Sequence, residues 1–242
     1  MSSPGFNHTI LPAPSPSNPL GNPRYPGYTS ANGPNWVDFL TVKYNASLLQ
    51  TYNLASGGAT VDSTLVKPYR DTVLSLKQQV TDVFVPYYTG STPRAPSAPT
   101  WTGADTIFAV WIGINDIGNS YWRGEEATGP LYAEIFAIYL DMVKRMRAAG
   151  ARNFVLLNVP PIDSSPLTAE QGTDSQKLES KTILAFNRGI ASLAKELRGA
   201  GDANVWVLDT HWWFWKVLDD PTTYEATKGY HNVTGYCGAY KE

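Results

Sequence analysis

Cysteine occurs once in the 242 residues, at Cys237, so no disulfide can form within the chain. A surplus of one charge is also missing. Nineteen Lys and Arg stand against 21 Asp and Glu for a net charge of −2, and no window concentrates the basic side chains that a phosphate backbone requires. No nucleic acid is therefore expected as a partner. Nor is there an apolar run of the ~20 residues that cross a bilayer, and no membrane partner is expected. The opening residues, MSSPGFNHTILPAPSPSNPLGNPRYPGY, lack the basic flank and apolar run of a secretory leader. Three N-x-S/T triplets, Asn7-His8-Thr9, Asn45-Ala46-Ser47 and Asn232-Val233-Thr234, point the other way, towards export. A start downstream of the natural one would reconcile the two. Hydrophobic residues at 43% and charged ones at 17% suit a globular fold with a full core, read as one domain over 1–242.

Residues 1–34 hold many of the 18 prolines and read as an extended arm, with Ile10, Tyr25 and Tyr28 as points where it could lie on the body. Behind Asn35 as a cap, the spacing of Trp36, Phe39, Leu40 and Lys43-Tyr44 predicts a short amphipathic helix. Ser47–Asn53 reads as a strand entering the turn Ser56-Gly57-Gly58. A helix from near Asp71 comes next, with Val73, Leu76, Val80 and Val83 on one face, and then a long loop over 86–99. Thr106–Ile112, β-branched and aromatic, predicts a buried strand that ends in Gly-Ile-Asn-Asp. The helix 130–149 turns Ile135, Ile138, Met142 and Met146 inward and stops at Gly150. Phe154–Val159 is the next strand. A helix marked by Ile183, Phe186, Ile190, Leu193 and Leu197 closes at Gly199, before a strand at Asn204–Leu208 and an aromatic segment from His211 to Leu218.

Four strands alternating with helices predict a parallel sheet covered by helices, with any ligand at the carboxyl ends of the strands. There Gly57 and Gly58 allow a main-chain N–H to approach a substrate oxygen, and the amide of Asn115 supplies a second neutral donor. Two such donors suit the oxyanion of acyl transfer. The plainer alternative is that the glycines only make a turn and that Asn115-Asp116 only caps the segment after it.

NLASGGATVD at 53–62 and WIGINDIG at 111–118 resemble the second and third blocks of the GDSL or SGNH hydrolases. PSNPLGNPRYPGYTSANGPNWVDFLT, LNVPP at 157–161 and VLDDP at 217–221 are similar to the fungal secreted carbohydrate esterases of family sixteen, which are acetylesterases. The resemblance covers nearly the whole chain. It implies a flavodoxin-like three-layer α/β/α sandwich, the SGNH hydrolase fold, whose parallel central sheet would here lack its first strand. It also implies a secreted, monomeric glycoprotein that needs no cofactor or metal and acts on acetylated sugars or oligosaccharides, with Gly58 and Asn115 in the oxyanion hole.

Two expected members are missing from the pattern. No Gly-Asp-Ser block supplies a nucleophile, and none of His8, His211 and His231 belongs to an Asp-x-x-His pair. Ser2 and Ser3 lie at a chain end with no base to activate them. His211 reads as a packed helix-start residue and Asp116 as a structural carboxylate. The chain thus resembles a family member cut at both ends, which would also leave Cys237 without its partner. The rival readings are a catalytically silent carbohydrate-binding relative, using some of the 30 aromatic residues as stacking faces, and an incomplete gene-model fragment.

Overall fold

The computed structural model describes residues 5–31, 33–90 and 98–236. Ser2, Ser3 and Cys237 lie outside the described residues. The chain divides into two compact units, Met1–Thr106 with Ile138–Ala151, and Ile107–Ala137 with Arg152–Glu242.

In the first unit Asn35 opens α1 (Trp36–Asp38). Its Oδ1 accepts the Val37 and Asp38 N–H groups, and the Asp38 carboxylate accepts the Asn35 N–H at 2.7 Å, a reciprocal cap. The chain then widens into a π turn, Phe39–Lys43. That winding inverts the expected face: Asp38 and Thr41 are buried, while Phe39 and Leu40 are exposed. Polar pairs hold this face instead, since the Thr41 hydroxyl donates to Val37 O and pairs with Thr51 Oγ1, both at 2.7 Å.

Residues 47–53 form no strand. Leu48 and Leu49 are adjacent and both exposed, whereas a pleat would point them to opposite faces. Instead the Thr51 N–H donates to Pro19 O in the arm at 2.9 Å. Within the arm Leu20 and Asn22 are buried, and Ile10, Tyr25 and Tyr28 are exposed, so the three expected contact points are not the ones the fold uses. The next helix starts at α2 (Leu76–Gln78) rather than near Asp71. Ser75 is the residue that caps it, with Gln78 reciprocating. It continues through a π turn, Gln79–Phe84, into α3 (Val85–Tyr88), which takes Pro86 into its first turn. Val73, Leu76, Val80 and Val83 are all buried as spaced. Of the expected loop over 86–99, residues 91–97 lie outside the described residues.

The second unit holds a parallel sheet of three strands in the order β1 (Ile107–Trp111), β2 (Asn153–Leu157) and β3 (Asn204–Leu208), where the sequence predicts four. Register is even, with Trp111 opposite Leu157 and Leu157 opposite Leu208. Helices flank this sheet, as parallel connections demand. They are α4 (Ile114–Gly118), the first part of α5 (Glu125–Ala148), whose residues from Ile138 on belong to the first unit, α6 (Pro166–Ala169), α7 (Thr173–Gly199) and α8 (Thr210–Asp219).

Helix α5 begins five residues earlier than expected and holds Pro130 inside it. Glu125 and Glu126 suit the positive end of the helix dipole there. Its buried row is Tyr132, Ile135, Tyr139, Met142 and Met146, so Tyr139 takes the place expected of Ile138, which is half-buried. Gly150, at φ 112°, ends it as expected: Gly150 N–H donates to Arg147 O and Ala151 N–H to Met146 O, the bonding of a Schellman cap. Helix α7 buries Ile183, Phe186, Ile190, Leu193 and Leu197, as the spacing requires.

Helix α7 also buries Glu179, at 2% exposure. Burial raises its carboxyl pKa; the bond from Thr168 Oγ1 at 2.7 Å opposes the shift, and the nearby charge of Asp163 adds to it. A carboxyl whose pKa rises on folding favours the native state least when ionised. Stability is therefore lost as pH climbs from the ordinary Glu value through the raised one, and the loss persists above it. Glu179→Gln keeps an acceptor for Thr168 and removes the charge. Its unfolding free energy in urea is expected to fall less than the parent's between pH 4 and 7.

Candidate functional site

The carboxyl ends of the three strands are tied together by side chains. After β2, Asn158 is buried and uses its whole amide. Its Oδ1 accepts the His211 N–H at 2.9 Å and the Thr210 hydroxyl at 3.0 Å, and its Nδ2 donates to Asp209 Oδ1 at 2.8 Å. Its backbone carbonyl takes the Trp111 indole N–H at 3.0 Å and shares the single Thr210 hydroxyl proton with Oδ1. Asp209 also caps α8 through the Trp212 N–H. One asparagine thereby joins the ends of all three strands, and the bonds it makes would be costly to leave unmade in a buried place.

The next residue, Val159, is gripped from α7. Asn187 Oδ1 accepts its N–H at 2.8 Å and Asn187 Nδ2 donates to its carbonyl at 2.9 Å. This grip sets the turn that opens α4. Gly113 stands at φ 120°, and a Cβ there would come within 2.4 Å of Phe186 Cε1 and 2.9 Å of Val159 Cγ2. Only glycine fits. Asn115 is the second residue of α4, half-buried, with its carbonyl accepting the Asn119 N–H at 3.0 Å.

Asp116 is fully buried. Beneath it Ser120 Oγ donates to Asp116 O and pairs with Tyr132 OH at 2.9 Å. Burial, opposed by the Ser120 bond, pushes the Tyr132 phenol up to about 12, so its proton stays in place through neutral pH. His211 lies in the first turn of α8 with its N–H on Asn158, as expected of a helix-start residue.

The Gly57-Gly58 turn belongs to the first unit, and Asn115 to the second. Gly58 has φ 84°, and a Cβ on it would reach within 2.3 Å of the Tyr69 ring, while one on Gly57 would meet nothing within 4 Å. The turn is backed by Ala59 N–H donating to Ser56 O and by Thr60 Oγ1 donating to Val66 O. Just beyond, burial raises the pKa of Asp62, but the Lys77 ammonium at 2.8 Å and two bonds from Thr64 outweigh it and leave it lowered. Glycine is demanded at 58 and merely present at 57, a distinction the sequence does not draw. His8 lies tilted against the Tyr87 ring, with centroids 4.7 Å apart, and burial lowers its pKa; His231 is exposed. Among the described residues no three or more His, Cys, Asp or Glu side chains converge to hold a metal ion, and no helix is long and apolar enough to cross a membrane.

A parallel α/β sheet whose first strand runs into a Gly-x-Asn-Asp turn, in a chain that also carries the SGGAT glycine turn, fits a class of acyl hydrolases. The family description GDSL-like Lipase/Acylhydrolase matches residues 7–241, and the chain belongs to that family, one of carboxylic ester hydrolases. It is 39% identical over 215 residues to an acetylesterase of Thermothelomyces thermophilus, taking in 88% of this chain and 69% of that protein. An acetylesterase of Hypocrea jecorina is 24% identical over 163 residues, 64% of this chain and 45% of that one. The thermolabile hemolysin of Vibrio parahaemolyticus is 26% identical over 208 residues, 86% of this chain and 43% of that one. The chain thus spans about half the length of the latter two.

Gly113→Ala is expected to cost about 1–3 kcal/mol by overpacking, with strain at positive φ added. Gly118→Ala in the same helix, where a Cβ meets nothing within 4 Å, should be neutral or slightly stabilising. Urea unfolding of the two variants side by side checks the contrast, and equal midpoints would overturn it.

Proposed function

We propose that the chain carries the oxyanion-holding part of a secreted acetylesterase that removes acetyl groups from sugars or short oligosaccharides by serine acyl transfer. One observation carries this reading: 39% identity to an acetylesterase over 88% of the chain, with the second-block glycine and third-block asparagine in family order. In the proposed reaction a serine hydroxyl attacks the acetyl carbonyl while a histidine takes its proton. Negative charge then gathers on the carbonyl oxygen. The Gly58 N–H and the Asn115 side-chain amide donate to that oxygen, and they do so most strongly in the transition state. Collapse expels the sugar hydroxyl with the proton returned by histidine, and water then releases acetate by the same route.

No Gly-Asp-Ser block and no Asp-x-x-His pair occurs in the 242 residues, so the reading requires both groups to be supplied from beyond them. The proposal has each of the two donors, the Gly58 N–H and the Asn115 amide, reach the carbonyl oxygen at ~2.7–3.1 Å.

By themselves the 242 residues are expected to release no acetate from 4-nitrophenyl acetate or acetylated xylo-oligosaccharides above background. Activity that survives Ser2→Ala with Ser3→Ala, yet disappears with Asn115→Ala, would reveal a different nucleophile. With a strand ending in Gly-Asp-Ser and a tail carrying Asp-x-x-His added, the protein is expected to hydrolyse acetyl esters. In that background Asn115→Ala should lower kcat by roughly 10²–10³-fold. The silent carbohydrate-binding alternative draws on Trp212, Trp213 and Trp215 of α8, all 43–46% exposed. An extended protein that binds acetylated sugar and turns over no ester would favour it.

A further inference from the structure

The three N-x-S/T triplets do not fold alike. Asn7 is exposed, and its Oδ1 accepts both the Thr9 N–H at 2.9 Å and the Thr9 hydroxyl at 2.7 Å. Asn232 repeats the arrangement: its Oδ1 accepts the Thr234 N–H at 2.9 Å, the Thr234 hydroxyl at 3.2 Å and the Gly235 N–H at 2.8 Å. In both turns the side chain is held by its oxygen, and its amide nitrogen donates to no acceptor among the described residues. Asn22, outside any such triplet, shows the opposite use: it is buried, and its Nδ2 lies within 3.0–3.2 Å of the carbonyls of Asn7, Ile10 and Pro12. Asn45 is half-buried, and no hydroxyl-to-amide bond from Ser47 joins it.

From these differences we infer that Asn7 and Asn232 are N-glycan acceptors and that Asn45 is the poor one of the three. The inference rests on the proposed export, because the donor is a lipid diphosphate-linked oligosaccharide found on the secretory route. Asn Nδ2 attacks the anomeric carbon of the first N-acetylglucosamine, and the new N–C bond forms as the C–O bond to diphosphate breaks. The lipid diphosphate leaves with the electron pair, and the amide proton passes to a carboxylate of the transferase. Transfer takes place on the nascent chain, so the fold has only to leave the attached sugar outside. Both Asx turns do this, since a substituted Nδ2 forfeits no protein hydrogen bond.

At Asn232 there is also room for the sugar to settle. A cavity of about 220 Å³ adjoins the turn through Val233 and Thr234 and is lined further by Ser164, Trp215, Leu218 and Asp219. The Trp215 ring, 45% exposed, offers a face on which the C–H side of a pyranose can stack.

The test is secretion of the full chain behind a cleavable leader from a eukaryotic host, with one reference acceptor triplet placed in the leader junction. Glycosidase release in heavy-oxygen water marks each occupied asparagine as a heavy aspartate for peptide mass spectrometry. Asn7 and Asn232 should be marked in most molecules, and Asn45 in fewer than either. Thr9→Ala and Thr234→Ala should each remove one glycan, and Thr9→Ser and Thr234→Ser should retain it. A marked reference with Asn7 and Asn232 unmarked would overturn the inference, as would Asn45 carrying more glycan than they do. Occupancy is read without any assay of ester hydrolysis, so the failure of one proposal is distinguishable from that of the other.

Discussion

Two side-chain amides do in the second unit what a longer hydrogen-bond ladder would otherwise have to do. The parallel sheet stops at Trp111, Leu157 and Leu208, and a strand that stops inside a fold leaves peptide groups that need partners. Asn158 answers for the group between β2 and β3, and Asn187, reaching from α7, answers for the Val159 peptide. Because Val159 is fixed, so is the wall against which Gly113 turns, and with it the start of the helix that carries Asn115. Apolar burial gives this unit its stability, but it is non-directional; the amide bonds decide where the backbone goes.

Charge is handled differently in two of the buried carboxyls that the helices carry, Asp38 and Glu179. Asp38 takes an N–H from Asn35 as part of a cap, while Glu179 has a threonine hydroxyl and a second carboxyl in its vicinity. Burial raises both. Asp38 is compensated by the backbone group whose orphaned N–H it satisfies. Glu179, seven residues into its helix, has no orphaned N–H beside it to satisfy, and it marks a place where this fold is less stable at neutral pH than in mild acid.

The sheet is readable because its strands are continuous apolar runs between turns, and α5 and α7 because their buried residues recur at three and four. Period alone misleads at α1: a π turn after Asp38 rotates every later side chain, and composition carries no sign of it. The stretch from Ser47 to Asn53 looks like a strand by content, but Leu48 and Leu49 stand side by side, and it is the arm's Pro19 carbonyl that takes up the Thr51 N–H. Gly58 and Asn115 are singled out as candidates by block order. Asn158 lies within the LNVPP segment without any indication of its bonds. Asn187 leaves no trace, since an asparagine 28 residues away that clamps one peptide has no periodicity to betray it.

The three strands are five residues each and paired without stagger, so they finish flush, like planks sawn to one length. Each plank is about 16 Å long at the usual rise per residue. The connections that leave this edge all depart from one level, and none has to climb past a neighbour. The residues just past each strand end therefore meet at that level, as Asn158 does with Thr210 and His211. The two asparagines and the glycine square that edge, and its level rests on them.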